Sequence, residues 1–323
     1  MKKVLDEVMG AKRIAISGHI RPDGDCVGSC MGLYLYLKKE LPESEVDVFL
    51  ETPSDVFNCI EGVDLIKNAE LYQEEIYDVF LALDCNKDRL GNAEVIFDNA
   101  KKKINIDHHV SNLGCGDVNY LRADASSASE LVFELLDEEK LNTEIAKALY
   151  IGIIHDTGVF QYSNTAPSTL MAAAKLITFG FNFPEIIEET FYEKTFVQNQ
   201  ILGRALLESI LFMDGKCIVA TISKKMMDFY GVTGKDLDGI INQMRNTKGV
   251  ECAIFLYELD TLTYKVSMRS GGQINVSKIA QFFGGGGHVR AAGCTMKGTQ
   301  HDVINNISAQ IEMQYVTIQS QMN

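Results

Sequence analysis

The sequence predicts a two-domain α/β protein: an N-terminal domain built on a mostly parallel sheet flanked by helices, then a smaller α/β domain. Three observations predict it. In the first half, short apolar runs of strand character alternate with helical patterns, as they do in a sheet covered on both faces. Beyond Lys216 the pattern changes, and strand-like runs crowd together ahead of a glycine run and a terminal helix. The 323 residues also exceed the roughly 100–200 that one domain ordinarily needs.

The strands expected in the first domain are Arg13–Ser17, Val46–Leu50, Val79–Leu83 and Ile104–Ile106. Val27–Lys39 and Ala128–Leu136 read as helices, and Ser127 followed by Glu130 suggests a capping box opening the second. A further apolar helical stretch ends in His155-Asp156. From Thr165 to about Leu211 the pattern stays helical, interrupted by Pro184, and reads as a connecting region. The expected division is residues 1–190, a helical linker over 191–212, and residues 213–323. In the last part Cys217–Ile222, Cys252–Tyr257 and Tyr264–Met268 are strand-like. A helix over Val276–Phe283, the glycine run 284–287 and a helix over Asp302–Met313 follow.

Hydrophobic residues at 46% and charged residues at 23% describe a globular chain, not a disordered one. The N-terminal stretch lacks an uninterrupted apolar segment, and no run approaches the ~20 apolar residues that span a bilayer. Neither a signal peptide nor a membrane partner is expected, and the cytoplasm is the default location. Eight cysteines are scattered without a CxxC pair, which argues against a zinc ribbon or a thioredoxin motif. Cys26 and Cys30 read as small buried thiols. The net charge of −14 is unlike that of proteins that grip long duplex nucleic acid, whose affinity comes from cationic contacts to phosphates. A nucleotide substrate would be short and held in a local pocket.

Ligands of an open parallel sheet gather where its strands end. The first strand runs into Ser17-Gly18-His19-Ile20-Arg21-Pro22-Asp23-Gly24-Asp25, the third ends in Asp84, the fourth in Asp107-His108-His109, and the helical stretch in Asp156. Carboxylates and imidazoles together suit manganese, which leaves coordination positions for water. Two such ions can activate water and clamp the attacking and leaving oxygens, and one carboxylate must then bridge them. Asp84, alone at its strand end, is the natural bridge. A strand-terminal Asp can equally be a helix cap, and His155 reads as a satisfied histidine because Asp156 explains the motif without it. In the second domain, Gly284-Gly285-Gly286-Gly287 would let backbone amides approach an anion as a concave nest, with His288 and Arg290 as charged donors. Arg269, at a strand end, is a second cationic candidate.

HIRPDGDCVGS, LALDC, IDHHVSN, HDTGVFQY and GGGGHVRAAG together resemble the motifs of the DHH phosphoesterase superfamily, in its subfamily with a DHHA1 C-terminal domain. The resemblance covers essentially the whole chain. In length and layout it is similar to the branch of nanoRNases and 3′,5′-bisphosphate nucleotide phosphatases. It implies a DHH catalytic domain followed by a DHHA1 substrate-binding domain, a substrate cleft between them, and two divalent metal ions per subunit, manganese by expectation. By resemblance, His19, Asp23 and Asp84 would hold one metal, and Asp25, Asp84, His108 and Asp156 the other. Asp107 would orient the neighbouring histidines, and His109 would face the scissile phosphate. Arg269, Gly285, Gly286, Gly287, His288 and Arg290 would bind the substrate's distal phosphate or nucleotide. Asn112 receives no firm role.

The implied activity is hydrolysis of short oligoribonucleotides to mononucleotides, and of the 3′-phosphate of adenosine 3′,5′-bisphosphate. The implied partners are short RNA oligonucleotides or nucleoside bisphosphates, and a homodimer is an admissible assembly. A phosphodiesterase for cyclic or linear dinucleotides is the nearest alternative, since the same metals would serve both. A RecJ-like exonuclease would call for a further binding domain or a basic, aromatic-rich tract. A family II pyrophosphatase would carry a basic motif in place of GGGGH. A catalytically dead nucleotide sensor would be expected to lack a ligand, and none of the expected positions is empty.

Overall fold

The computed structural model describes residues 4–322. They form two compact units, the first ending at Glu193 and the second beginning at Lys194. The first unit runs α1 (Val4–Val8), β1 (Arg13–Ser17), α2 (Gly24–Glu40), β2 (Glu45–Phe49), β3 (Val79–Leu83), α3 (Glu94–Asn99), β4 (Lys102–Asp107), β5 (Val118–Leu121), α4 (Ala128–Leu135), α5 (Thr143–Asp156), α6 (Pro167–Ile177) and α7 (Phe183–Ile187).

Its five strands lie in the order β2-β1-β3-β4-β5, every neighbouring pair parallel. Both faces of this sheet are buried, which is why β3 at its centre is continuously apolar and wholly buried. Ile14, Ile16, Leu81, Leu83, Ile104 and Ile106 point to the side covered by α2, α4 and α5. Ala15, Phe80 and Ala82 point to the other, where Ile96 and Phe97 of α3 meet them. The chain goes from β1 to β2 on one side and then returns to β3 on the other. The ends of β1 and β3 therefore flank the point where the strand order reverses, where such sheets form their crevice.

Helices α2 and α5 touch backbone to backbone. A Cβ placed on Gly28 would lie 2.6 Å from the Ala148 carbonyl oxygen and 2.7 Å from the Gly152 nitrogen, so no larger residue fits without moving a helix. This contact fixes the N-terminal end of α2 against the C-terminal end of α5. Ser127 caps α4 by accepting the Glu130 N–H at 3.0 Å. The Glu130 carboxylate, however, accepts from the Ser126 N–H and hydroxyl, so the expected capping box is half formed.

The second unit runs α8 (Phe196–Leu207), β6 (Ile210–Phe212), β7 (Cys217–Ile222), α9 (Lys224–Tyr230), α10 (Ile240–Arg245), β8 (Cys252–Asp260), β9 (Thr263–Ser270), α11 (Val276–Phe282), β10 (Gly286–His288), β11 (Ala291–Lys297) and α12 (Gln300–Met322). Its sheet has the order β10-β11-β9-β8-β7-β6, with β7 and β8 parallel and the other pairs antiparallel. Val266, Met268, Cys294 and Met296 pack with Ile279 of α11 and Val303, Ile307 and Ile311 of α12. On the opposite face Ile218, Ala220 and Phe255 pack against Ile201 and Ala205 of α8 and Ile240 and Met244 of α10. Helix α8, within the segment read from sequence as a linker, packs one face, Ile201 and Ala205, into the core of this unit. No helix among the described residues is long and apolar enough to cross a membrane.

Candidate functional site

The loop after β1 delivers His19, which is buried. Its Nδ1–H donates to the Ile20 carbonyl at 2.9 Å, and this fixes the tautomer and leaves Nε2 as a donor of electrons. That Nε2 lies 3.3 Å from Asp84 Oδ2 and 3.6 Å from Asp23 Oδ2. Asp23 caps α2, its Oδ1 accepting the N–H groups of Asp25 and Cys26 at 3.1 Å each. Both the cap and the imidazole contact therefore come from one carboxylate. Asp25 is buried on the first turn of α2, and its two oxygens accept the Ala128 and Ser129 N–H groups at the start of α4, at 2.6 and 2.9 Å.

Asp84 follows β3 with φ at +57°. A left-handed non-glycine residue costs roughly 1–2 kcal/mol, and such strain concentrates where a side chain must be aimed. Here it aims a buried carboxylate between two imidazoles: Oδ2 faces His19, while Oδ1 lies 3.4 Å from His108 Nε2. Oδ1 has no hydrogen-bond partner among the described residues. His108 Nε2 also lies 3.6 Å from Asp156 Oδ2 and 3.9 Å from Asp25 Oδ2.

Asp107 lies within a shell of donors. Its Oδ1 accepts the N–H groups of His108 and His109 at 2.7 and 3.1 Å and the His109 Nδ1–H at 2.7 Å. Its Oδ2 accepts from Asn112 Nδ2 at 2.5 Å. Asn112, which the sequence reading left without a role, is buried and also donates to Asn105 Oδ1 and the Cys85 carbonyl. It lies three residues beyond His109, in a turn closed by its N–H to the His109 carbonyl at 3.0 Å.

Asp156 ends α5. Gly158, Val159 and Phe160 then follow with φ of +57°, +54° and +65°, a strained turn held by the Thr157 hydroxyl accepting the Phe160 N–H. The turn brings back Asn164, whose Nδ2 donates to Asp156 Oδ2 at 3.2 Å. His155 points elsewhere. Its Nε2–H donates to the Thr190 hydroxyl at 3.1 Å, and its ring packs against Phe57 and Phe191.

The charges of this cluster do not balance. Burial, then Asp84 and Asp156, push Asp25 well above the ordinary carboxylate range. Burial also lifts Asp156 to about 6, with Asp84 and Asp23 adding to the rise against the pull of His108. Burial opposes protonation of the two histidines. Hydrogen bonds to Asp23 and Asp84 nevertheless raise His19 to about 11, and the carboxylates of Asp84, Asp25 and Asp156 raise His108 to about 10. Four carboxylates around two imidazoles thus call for positive charge, which protons supply when no cation is present. The orphaned Asp84 oxygen, the mixed oxygen and nitrogen donors and the groups Asp84–Asp107–His108–His109 and Asp25–His108–Asp156 fit divalent cations. Beside His19 opens a cavity of about 550 Å³, also lined by Glu51, Asn58, Lys67 and Asn92.

In the second unit, the register lines Arg269 of β9, Ala291 of β11 and His288 of β10 in one row across three strands. Residues directly opposite one another share a face, so Arg269 and His288 project together. Arg290 lies in the turn that joins β10 to β11; its carbonyl accepts the Ser270 N–H at 3.0 Å. At the start of the glycine run Gly284 has φ of +75°, and the Gly284 and Gly285 N–H groups donate to the carbonyls of Gln281 and Ala280 at 3.0 and 2.8 Å. Gly286 and Gly287 extend as part of an exposed edge strand, and the Gly287 carbonyl accepts the Ser277 hydroxyl at 2.7 Å. Three residues with no apolar pattern gave no strand signal, because this pairing is carried by backbone alone.

Residues 13–153 match the N-terminal domain of the DHH family, and residues 214–316 match the DHHA1 domain. The bifunctional oligoribonuclease and PAP phosphatase NrnA of Bacillus subtilis is 28% identical over 291 residues, covering 88% of this chain and 89% of that one. The protein of the same name from Thermus thermophilus is 28% identical over 313 residues, covering 93% and 88%. Among solved structures, an exopolyphosphatase-related protein from Bacteroides fragilis superposes with a TM-score of 0.87 at 27% identity, covering 94% of this chain and 93% of that one. Both halves of the sequence are accounted for in this order: the chain carries an N-terminal domain of the DHH family followed by a DHHA1 domain.

Proposed function

We propose that this protein is a two-metal hydrolase, working with manganese, that degrades short oligoribonucleotides to mononucleotides and removes the 3′-phosphate of adenosine 3′,5′-bisphosphate in the cytoplasm. The observation that carries the reading is Asp84, whose two oxygens face two separate imidazoles at 3.3 and 3.4 Å, the arrangement a bridging carboxylate requires. In this reading His19, Asp23 and Asp84 hold one ion, and Asp25, Asp84, His108 and Asp156 hold the other. When bound, the pair would supply Lewis-acid activation of water and neutralise charge on the phosphoryl oxygens.

The chain's own groups would do the rest. Asp107 fixes the His109 ring through Nδ1, so that the opposite edge of the ring can donate to a phosphoryl oxygen or protonate the leaving oxygen. Burial opposes ionisation of Asp107, but the His109 ring first, then Asn112 and the His109 N–H, hold its carboxyl below the ordinary range. Arg269, His288 and Arg290, with Gly285, Gly286 and Gly287, would take the distal phosphate or nucleotide. The two relatives named as oligoribonucleases and PAP phosphatases, alike over most of the chain, support this substrate class.

The test is product analysis by chromatography. Metal-stripped protein is incubated with Mn²⁺ and, separately, a linear RNA dinucleotide, adenosine 3′,5′-bisphosphate or a cyclic dinucleotide. The proposal expects mononucleotide from the first and phosphate from the second. Turnover of the cyclic compound alone would reassign the substrate, and no turnover of any would overturn the reading.

A further inference from the structure

A thiol that the proposed reaction does not use stands behind His19. Cys26 lies on the first turn of α2 and is fully buried, its Sγ 3.9 Å from the His19 carbonyl oxygen. Gly18 permits this approach: a Cβ there would run into the Cys26 sulfur and come within 3.2 Å of the Leu83 carbonyl. A ring nitrogen of His19, the Cys26 Sγ and a carboxylate oxygen of Asp84 all lie within 4.8 Å of one another. Among the described residues no other such three-donor group contains a cysteine.

We infer that His19, Cys26 and Asp84 form an alternative site for a soft divalent cation, zinc or cadmium, which competes with the manganese pair. The inference rests on the proposed role of His19 and Asp84 as ligands. Manganese favours oxygen and imidazole, and in its presence Cys26 remains a bystander thiol. Zinc and cadmium favour thiolate and accept four-coordinate mixed sulfur, nitrogen and oxygen sites. On capture a metal–sulfur bond replaces a metal-bound water and the thiol proton passes to solvent. His19 and Asp84 cannot serve both arrangements, so a soft cation does more than replace manganese. It draws these two ligands toward α2 and leaves His108 and Asp156 without their bridge.

The experiment titrates the metal-stripped full chain with Cd²⁺ and follows the ultraviolet sulfur-to-cadmium charge-transfer absorption. A stoichiometric band is expected in the wild type and in Cys30→Ala, and its loss in Cys26→Ser and Cys26→Ala. A band that survives in both Cys26 variants overturns the inference, as does its absence from the wild type. If either Cys26 variant fails to fold, competition in the wild type decides. Mn²⁺ at about ten times its own Kd should shift the Cd²⁺ midpoint roughly tenfold, and no shift would overturn the shared-ligand claim. A wild type that binds Mn²⁺ yet shows no band loses only the Cys26 mode, whereas one that binds neither ion loses the proposed metal site as well.

Discussion

The two candidate sites are built in opposite ways. In the first unit, His19, Asp25, Asp84 and Asp107 are withdrawn from water at the ends of parallel strands. Several side chains of this site are fixed by a second contact: His19 by the Ile20 carbonyl, Asp25 by the start of α4, His109 by Asp107. In the second unit, His288 and Arg290 are exposed on an edge hairpin, and the register sets Arg269 in the same row as His288. Desolvation strengthens electrostatic effects and fixed geometry avoids reorganisation, which suits bond breaking. Exposed donors on an edge hairpin suit recognition of a phosphate that arrives from water. Burial is thus spent where charge must be focused and withheld where a ligand must be caught.

The sharpest break in this contrast is Asp84→Ala. We expect kcat/KM on an RNA dinucleotide to fall by at least about 10³-fold. Thermal melting of the metal-stripped variant should be no lower than that of the wild type, since one of four crowded carboxylates is gone; full activity would refute the bridge. Asp107→Asn comes next, at roughly 10–100-fold in activity or Mn²⁺ affinity, with Asn112→Ala toward the lower end, because both act through the histidines. Calorimetric Mn²⁺ titration beside steady-state kinetics would separate the two effects. Arg290→Ala should sit on the other side of the comparison, raising KM about tenfold while kcat changes by less than about twofold. A fall confined to kcat would place Arg290 in the chemistry instead.

The smallest effect tests the scaffold alone. Asp78 pairs with Lys101 and accepts the N–H groups of Arg13 and Lys12 at the entry to β1, contacts that lower its pKa from 3.8 to about 2. A depressed carboxylate stabilises the fold above its unfolded pKa, and that contribution disappears as pH falls through the folded value. The urea midpoint of Asp78→Asn should therefore lie below that of the wild type near neutral pH, and the gap should close as pH falls from about 4 toward 2. A gap independent of pH would assign the effect to the backbone hydrogen bonds alone.

Much of this was legible in the residues. Val79–Leu83 is a continuous apolar run and Arg13–Ser17 has an apolar centre, and their boundaries in the structure coincide with the expected ones. The acidic and histidine clusters stood out because each follows such a run. What lay hidden depends on neighbours that sequence does not adjoin. Strand β5 alternates half-buried with exposed residues at a sheet edge and carries no continuous apolar signal. Strand β6 is three residues long and was absorbed into the helical pattern before it. Asn112 acquires its role from Asn105, Cys85 and Asp107 together, and no local pattern predicts three such partners.

The strand order β2-β1-β3-β4-β5 also bears on how the chain folds. Parallel pairing needs long crossovers, and non-local contacts of this kind form slowly. The proposed ligands come from the ends of β1, β3, β4 and α5, so no partly assembled sheet brings them together. Affinity for a divalent cation should be among the last properties a refolding chain acquires, after its helices and much of its core. Loss of the free Mn²⁺ resonance would then time the completion of the first unit, and a chain stalled before α5 docks would show native-like helix content while remaining inert.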